Sequence, residues 1–350
     1  MFLNWALGLR DLGCRVIWLE LSDPATDPAA LAVQITALRF HLAGFGLDDD
    51  LVIAPSDLSL PVEERLAGAA ADADLFLAIR YDVPAALLGL FRRTAMIDID
   101  PGLLLVWVSS GDIVLPQFDL YFTTGETVGS DRGPIPNCAV EWHYSPPPVH
   151  LPSWPVQPPV PGAPWTTVTH WWGGEWLRLG EDVIDNNKRR SFLDYLELPT
   201  AVDVPLELAV RMGTHDRHEA VMLAEHGWHV RDSWSISATP DAYRRYIQGS
   251  RGEFSCAKAS CMALQNAWVS DRTLCYLASG RPAVVQHTGP SAILPDGDGL
   301  FRFRDQAGAA RALTEAEADY DHHRRRARQL VEEHFGARVV VRGVLERAIQ

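Results

Sequence analysis

The sequence predicts an α/β protein made of two open, parallel-sheet domains. Short apolar runs alternate with helical patterns through both halves of the 350 residues. A segment from 146 to 164 holds nine prolines and separates the halves. The length itself corresponds to two domains at about 100–200 residues each. With 47% hydrophobic and 22% charged residues, the chain is neither disordered, collagen-like nor coiled coil.

In the first half, Leu3, Leu7 and Leu9 mark a helix over 2–12 that stops at Gly13. A strand at 16–19, a helix over 28–43 and a strand at 51–53 follow. Pro61 precedes a helix over 62–71. Strands are expected at 75–79, 95–99 and 120–122. A doubly wound domain normally opens with a strand and a glycine-rich turn before its first helix. This sequence opens inside that helix: either the first domain is built without its first strand, or an upstream strand and turn precede it, which is the favoured expectation. Without them the strand at 16–19 has one unpaired side.

The prolines cannot continue a helix or pair in a central strand, so 146–164 reads as a stiff, extended linker. A proline-rich ligand for another protein is the alternative. Beyond it the pattern restarts. Strands fall at 166–169, 206–210, 228–230, 254–256, 283–285 and 300–303. Helices fall at 187–196, 215–226, 240–247 and 271–278, then 307–335 with breaks, and 339–349. No repeat of 20–50 residues is visible, which argues against a solenoid.

Asp+Glu number 45 and Lys+Arg 31, a net charge of −14 that argues against a nucleic-acid partner. The one basic run, Arg324-Arg325-Arg326-Ala327-Arg328, reads as the wet face of a helix. Five cysteines without a C-x-x-C spacing argue against a disulfide framework and a structural zinc site, and reduced thiols fit a cytoplasmic protein. No unbroken apolar run reaches about 18 residues, so no spanning helix is expected. The N-terminus lacks a basic region and a small-residue cleavage site, so it is not a secretory signal.

Paired open sheets bind ligands in the cleft outside their strand carboxyl ends, so residues just after strands are the candidates. Gly173 and Gly174 end the stretch His170-Trp171-Trp172-Gly173-Gly174. They allow close backbone approach to phosphate or sugar, or simply form a βα turn. Arg211 can pair with a diphosphate, or lie on the surface at a helix start. His215 and His218 have the look of a metal pair, but no third ligand is apparent. Lys258 follows a strand, as a cleft cation or a solvated lysine. Ser270 or Asp271 caps a helix whose N-terminus favours anions, and Arg272 adds charge there. The plainer alternative is a capped helix with an Asp–Arg surface pair. Thr288, Gly289 and Ser291 lie at the end of the buried strand at 283–285 and face the cleft. Trp171, Trp172 and Trp176 can stack on a sugar or pack in the core.

The stretch from Trp268 to Gly289, WVSDRTLCYLASGRPAVVQHTG, resembles the second domain of bacterial glycosyltransferases of GT-B architecture. It is most similar to a poorly characterised subgroup with the segment W-[FV]-S-D-R-x-x-C-Y-L-A-S-G-R-P-x-[VL]-x-Q-x-T-G. Asp98-Ile99-Asp100-Pro101-Gly102 fits too, as do Ile135-Pro136 with Trp142 and Pro147-Pro148-Val149, and Tyr246-Ile247-Gln248-Gly249-Ser250-Arg251. The resemblance covers most of the chain. It implies two Rossmann-like domains facing a cleft: an acceptor-side domain over 1–150, a linker over 151–164, and a donor domain over 165–335. It further implies that a helix over 336–350 packs back on the first domain.

On this resemblance the substrate is a nucleoside-diphosphate sugar. No other cofactor and no metal are expected. Gly173, Gly174, Arg211, Lys258, Ser270, Asp271, Arg272, Thr288, Gly289 and Ser291 are the candidate donor contacts. Asp98 and Asp100, at a strand end of the first domain, are the candidate bases; their plainer role is a polar strand end turning at Pro101-Gly102. Two departures stand out. The position where many such enzymes hold the donor ribose with an acid is Cys275, and the second acid of retaining relatives is replaced by Ala267. A non-catalytic sugar or nucleotide binder, or an epimerase or phosphorylase on the same architecture, are the alternatives.

Overall fold

The computed structural model describes residues 1–57, 64–173 and 176–349. The first domain contains α1 (Phe2–Asp11), β1 (Trp18–Ser22), α2 (Pro28–Ala43), β2 (Leu51–Pro55), α3 (Glu64–Asp72) and β3 (Phe76–Ala78). It continues through α4 (Ala85–Leu88), β4 (Thr94–Asp98), α5 (Leu103–Ser110), β5 (Leu120–Thr123) and β6 (Trp142–Tyr144). The bounds of α2 follow from local chemistry: Asp27 accepts the Ala30 N–H and Pro28 occupies the first turn. The expected start of α3, including Pro61, lies outside the described residues. The short helices α4 and α5 and the strand β6 were not legible as periodic patterns. The run Leu103–Val106 is buried on all sides, so no amphipathic period marks it.

All strand pairs of this domain are parallel. They fall into a two-stranded sheet, β1-β2, and a four-stranded sheet, β3-β4-β5-β6. Among the described residues β1 pairs only with β2, and β3 only with β4.

The second domain begins with β7 (Trp165–His170). An antiparallel hairpin of β8 (Trp176–Leu179) and β9 (Asp182–Asp185) is inserted before α6 (Lys188–Leu193). Then come β10 (Leu206–Arg211), α7 (Arg217–Glu225), β11 (His229–Asp232), α8 (Ser233–Ser237), α9 (Pro240–Gly249) and β12 (Gly252–Ser255). They are followed by α10 (Ala259–Leu264), α11 (Asp271–Ala278), β13 (Ala283–Gln286), β14 (Leu300–Phe303), α12 (Gln306–Ala318), α13 (Tyr320–His334) and α14 (Ala337–Ala348). Six parallel strands run in the order β11-β10-β7-β12-β13-β14. The winding therefore reverses between β7 and β12, and the crevice outside their carboxyl ends is the natural ligand position. The core on one face joins Trp165, Leu208, Phe254, Val284 and Phe301.

The chain returns to the first domain at its end. Val340, Val341 and Val344 of α14 pack with Trp5, Ala95, Ile97 and Phe122. The helices α1 and α14 touch closely at Gly8, where an added Cβ would stand 2.9 Å from Ala337 Cβ. The proline segment is not a free linker. Its prolines have no N–H to donate, but the carbonyls of the segment remain, and arginines bind these. Arg281, fully buried, donates to Pro158 O, Arg324 to Gln157 O, and Arg328 to Trp154 O at 2.8 Å. This corrects the reading of the basic run as a wet face: two of its arginines strap the proline segment to α13.

No helix among the described residues is long and apolar enough to cross a membrane.

Candidate functional site

The two domains meet where the winding of the second sheet reverses. Lys258, just past β12, reaches Asp100 of the first domain with its Nζ 3.0 Å from Oδ1. A candidate base and a candidate diphosphate contact are therefore neighbours across the interface. Asp98 is buried at 4% exposure and supports the turn that carries Asp100. Its carboxylate accepts the Asp100 N–H at 3.0 Å and the Thr123 hydroxyl at 3.2 Å. Burial pushes the Asp98 carboxyl up to about 7, against the lowering effect of the Asp100 amide. Asp98 is enclosed, whereas Asp100 is 39% exposed and open to a substrate.

Lys188 was missed by the sequence reading. It is partly buried beside Lys258 and Arg272, donates to the Cys256 carbonyl, and lies 5.8 Å from the centre of the Trp268 ring. Burial first, then the charge of Arg272, lowers its pKa to about 8. Among the described residues no carboxylate pairs with it. A signal existed: a lysine in the first turn of a helix opposes the helix dipole. Such a placement suggests that the cation serves something other than α6.

The other candidates divide. Arg272 does not present a free guanidinium. Its Nε holds Glu253 at 2.6 Å, and its other nitrogens donate to Val168 O and the Ser255 hydroxyl. Glu253 is fully buried, so Arg272 is the counter-ion of a core carboxylate at the base of the crevice. Ser270 caps α11, accepting the Arg272 N–H at 3.3 Å. Asp271 pairs with the α-amino group of Met1 at 3.3 Å. The start of α11 thus faces α1. Cys275, at the ribose-acid position of the resemblance, is buried at 3% in the core.

Thr288 donates to Trp268 O at 2.7 Å. Gly289 has φ +139°, and a Cβ there would stand 2.3 Å from Gln265 O, so this glycine allows backbone to approach backbone. Ser291 donates to Glu126 of the first domain, and the Ala292 N–H donates to the same carboxylate at 2.8 Å. Burial raises the Glu126 pKa, but the Ser291, Ala292 and Arg132 hydrogen bonds outweigh it and hold the carboxyl below its usual range. Further bonds join the domains: Thr127 donates to Gln265 O at 2.9 Å and Asn266 to Pro101 O at 2.8 Å.

Gly173 donates its N–H to Asn187 beside Lys188, and Gly174 lies outside the described residues. Arg211 is the last residue of β10 and sits 5.2 Å over the Trp234 ring. The tryptophans separate: Trp171 is fully buried and donates to Glu219, whereas Trp172 and Trp176 are 51% and 58% exposed. His218 bonds the carbonyl of His215 rather than completing a metal set with it.

No family model matches the sequence, and no curated protein matches it. Solved structures do. The chain is similar to an alpha-glucosyltransferase in complex with UDP and a 13-mer DNA, with TM-score 0.64 at 11% identity, covering 100% of this chain and 95% of that one. It is also similar to Anabaena Alr3699/HepE in complex with UDP and glucose, with TM-score 0.53 at 9% identity over 95% and 99% of the two chains. A third is AviGT4, a glycosyltransferase of avilamycin A biosynthesis, with TM-score 0.53 at 12% identity over 99% and 87%. The fold is GT-B: two Rossmann-like parallel-sheet domains facing each other across a cleft.

Proposed function

We propose that this chain is a glycosyltransferase that takes a sugar from a nucleoside-diphosphate donor. The observation that carries the reading is Lys188, a cation without a carboxylate partner placed beside Lys258 where the second sheet reverses. A diphosphate there gains charge-assisted bonds and moves the Lys188 pKa back up toward its usual value. UDP is present in the solved structures of two similar proteins, the alpha-glucosyltransferase and HepE, which supports a nucleotide at the corresponding position here.

In this reading Lys188 and Lys258 take the negative charge that builds on the leaving diphosphate, so no metal is required. Engagement of Lys258 by the diphosphate frees Asp100. An acceptor hydroxyl attacks the anomeric carbon as the bond to the diphosphate oxygen breaks. The electron pair leaves with the diphosphate and the hydroxyl proton passes to Asp100. Asp98 positions Asp100 through its amide. Gly173, Arg211 and the exposed Trp172 and Trp176 border the mouth, where sugar and acceptor enter. Arg272, Ser270, Asp271, Thr288, Gly289 and Ser291 shape the crevice and its closure.

The experiment is a thermal-shift and calorimetric screen of nucleoside diphosphates, followed by donor hydrolysis without acceptor. A transferase binds a diphosphate through Lys188 and slowly releases nucleotide from its sugar donor. Binding without any hydrolysis or transfer would instead favour a pure binder, a reading the Cys275 position supports.

A further inference from the structure

We propose that Asp298, His322 and His323 form a binding site for a divalent transition ion, zinc in particular, on the side of the second domain opposite the cleft. Asp298 precedes β14, whose first residue Leu300 is in register with Ala283 at the start of β13. It therefore lies at the amino ends of the strands, whereas the candidate active site lies at their carboxyl ends. The inference is independent of the proposed transfer reaction.

Among the described residues these three alone bring ligand atoms together, all within 4.8 Å of one another. His322 Nε2 and Asp298 Oδ1 are 2.9 Å apart. Zinc–nitrogen bonds of about 2.0–2.1 Å in a tetrahedron put neighbouring ligand atoms about 3.3 Å apart. The first pair already has close to that spacing, and the ligand atom of His323 lies within 4.8 Å of both. Two imidazoles and a carboxylate suit zinc and its neighbours better than calcium or magnesium, and water can take the fourth position.

A second observation points the same way. His323 is only 6% exposed, and its Nδ1 is buried without a hydrogen-bond partner. An unpaired buried polar atom is costly unless something satisfies it. The ring is held edge-on against Phe301 and His322, with centroids 4.9 and 5.1 Å away.

The backbone is also fixed. Gly299 has φ +96°, and a Cβ there would stand 2.6 Å from His323 O and 2.5 Å from Ala327 N. The loop carrying Asp298 is thus pressed onto α13 beside its histidines. Arg326 lies 3.7 Å from Asp298 Oδ2, which leaves Oδ1 toward His322.

The test is calorimetric titration of the full chain with Zn²⁺ at pH 7.5, with Co²⁺ absorption as a report on tetrahedral geometry. His322→Gln and Asp298→Asn alter exposed or half-exposed side chains and keep the fold. The expected result is one equivalent of Zn²⁺ bound, with affinity falling about 10-fold or more in each variant. Zn²⁺ should raise the melting temperature of the wild type and not that of His322→Gln. Zinc binding that neither variant alters, or no binding at millimolar Zn²⁺, would overturn the proposal.

Discussion

Replacing Lys188 by methionine should stabilise the protein while weakening its hold on nucleotide. The lysine is kept at a pKa near 8 instead of 10.5, a shift worth about 3 kcal/mol in full. The side chain keeps some contact with water, so nearer 2 kcal/mol is realistic. Methionine removes one of two donors to the buried Cys256 carbonyl, which keeps the Ser255 hydroxyl at 3.3 Å, at a cost of about 1 kcal/mol. The net gain at neutral pH is about 1 kcal/mol, or roughly 2–4 °C in melting temperature. The pH dependence is the signature. A lysine with a depressed folded pKa binds fewer protons folded than unfolded, so its cost is complete below pH 8 and fades toward pH 10.5. The variant's advantage should therefore shrink between pH 7 and pH 10, measured as a difference between the two proteins so that other titrations cancel. Loss of a charge-assisted bond should weaken UDP binding by about 1.5–3 kcal/mol, roughly 10- to 150-fold. A less stable variant, or an advantage equal at pH 7 and pH 10, would refute the account of Lys188.

Arg272→Ala should destabilise the fold by about 3–5 kcal/mol, because it strands the buried Glu253; Arg272→Ala/Glu253→Gln should recover part of that in denaturant titrations. Asp100→Asn breaks a partly exposed ion pair, so stability should change by less than about 1 kcal/mol, while transfer should fall about 100-fold or more and UDP binding persist. Equal transfer rates in the two proteins would remove Asp100 from the chemistry. Gly289→Ala should lower the melting temperature markedly, since its Cβ has Gln265 O at 2.3 Å; an unchanged melting temperature would contradict the close backbone approach.

The sequence revealed those parts of the fold whose pattern is local. The helix over 28–43 has its cap and proline in place, and 271–278 has its Ser270 cap. Both occur in the structure with the expected bounds. The strand at 300–303 was equally legible. The β8–β9 hairpin was not, because Trp176, Arg178, Asp182 and Val183 are exposed while Leu177 alone is fully buried, against the first domain. The site divides in the same way. Lys258 was visible because it follows a buried strand. That Arg272 serves Glu253 depends on a partner 19 residues away on another element. Lys188 is close to Arg272 only after the sheet folds, and Glu126 meets Ser291 only across the domain interface. Distance in sequence hid these contacts, and burial then set which cations remained available.

Calorimetric titration of the wild type, Lys188→Met and Lys258→Met with UDP at pH 7 tests the central claim most directly. The account predicts saturable binding by the wild type with one UDP per chain, weakened at least about 10-fold in each variant while both remain folded. UDP affinity that neither substitution alters, or no affinity for UDP or any other nucleoside diphosphate in the folded wild type, would contradict it.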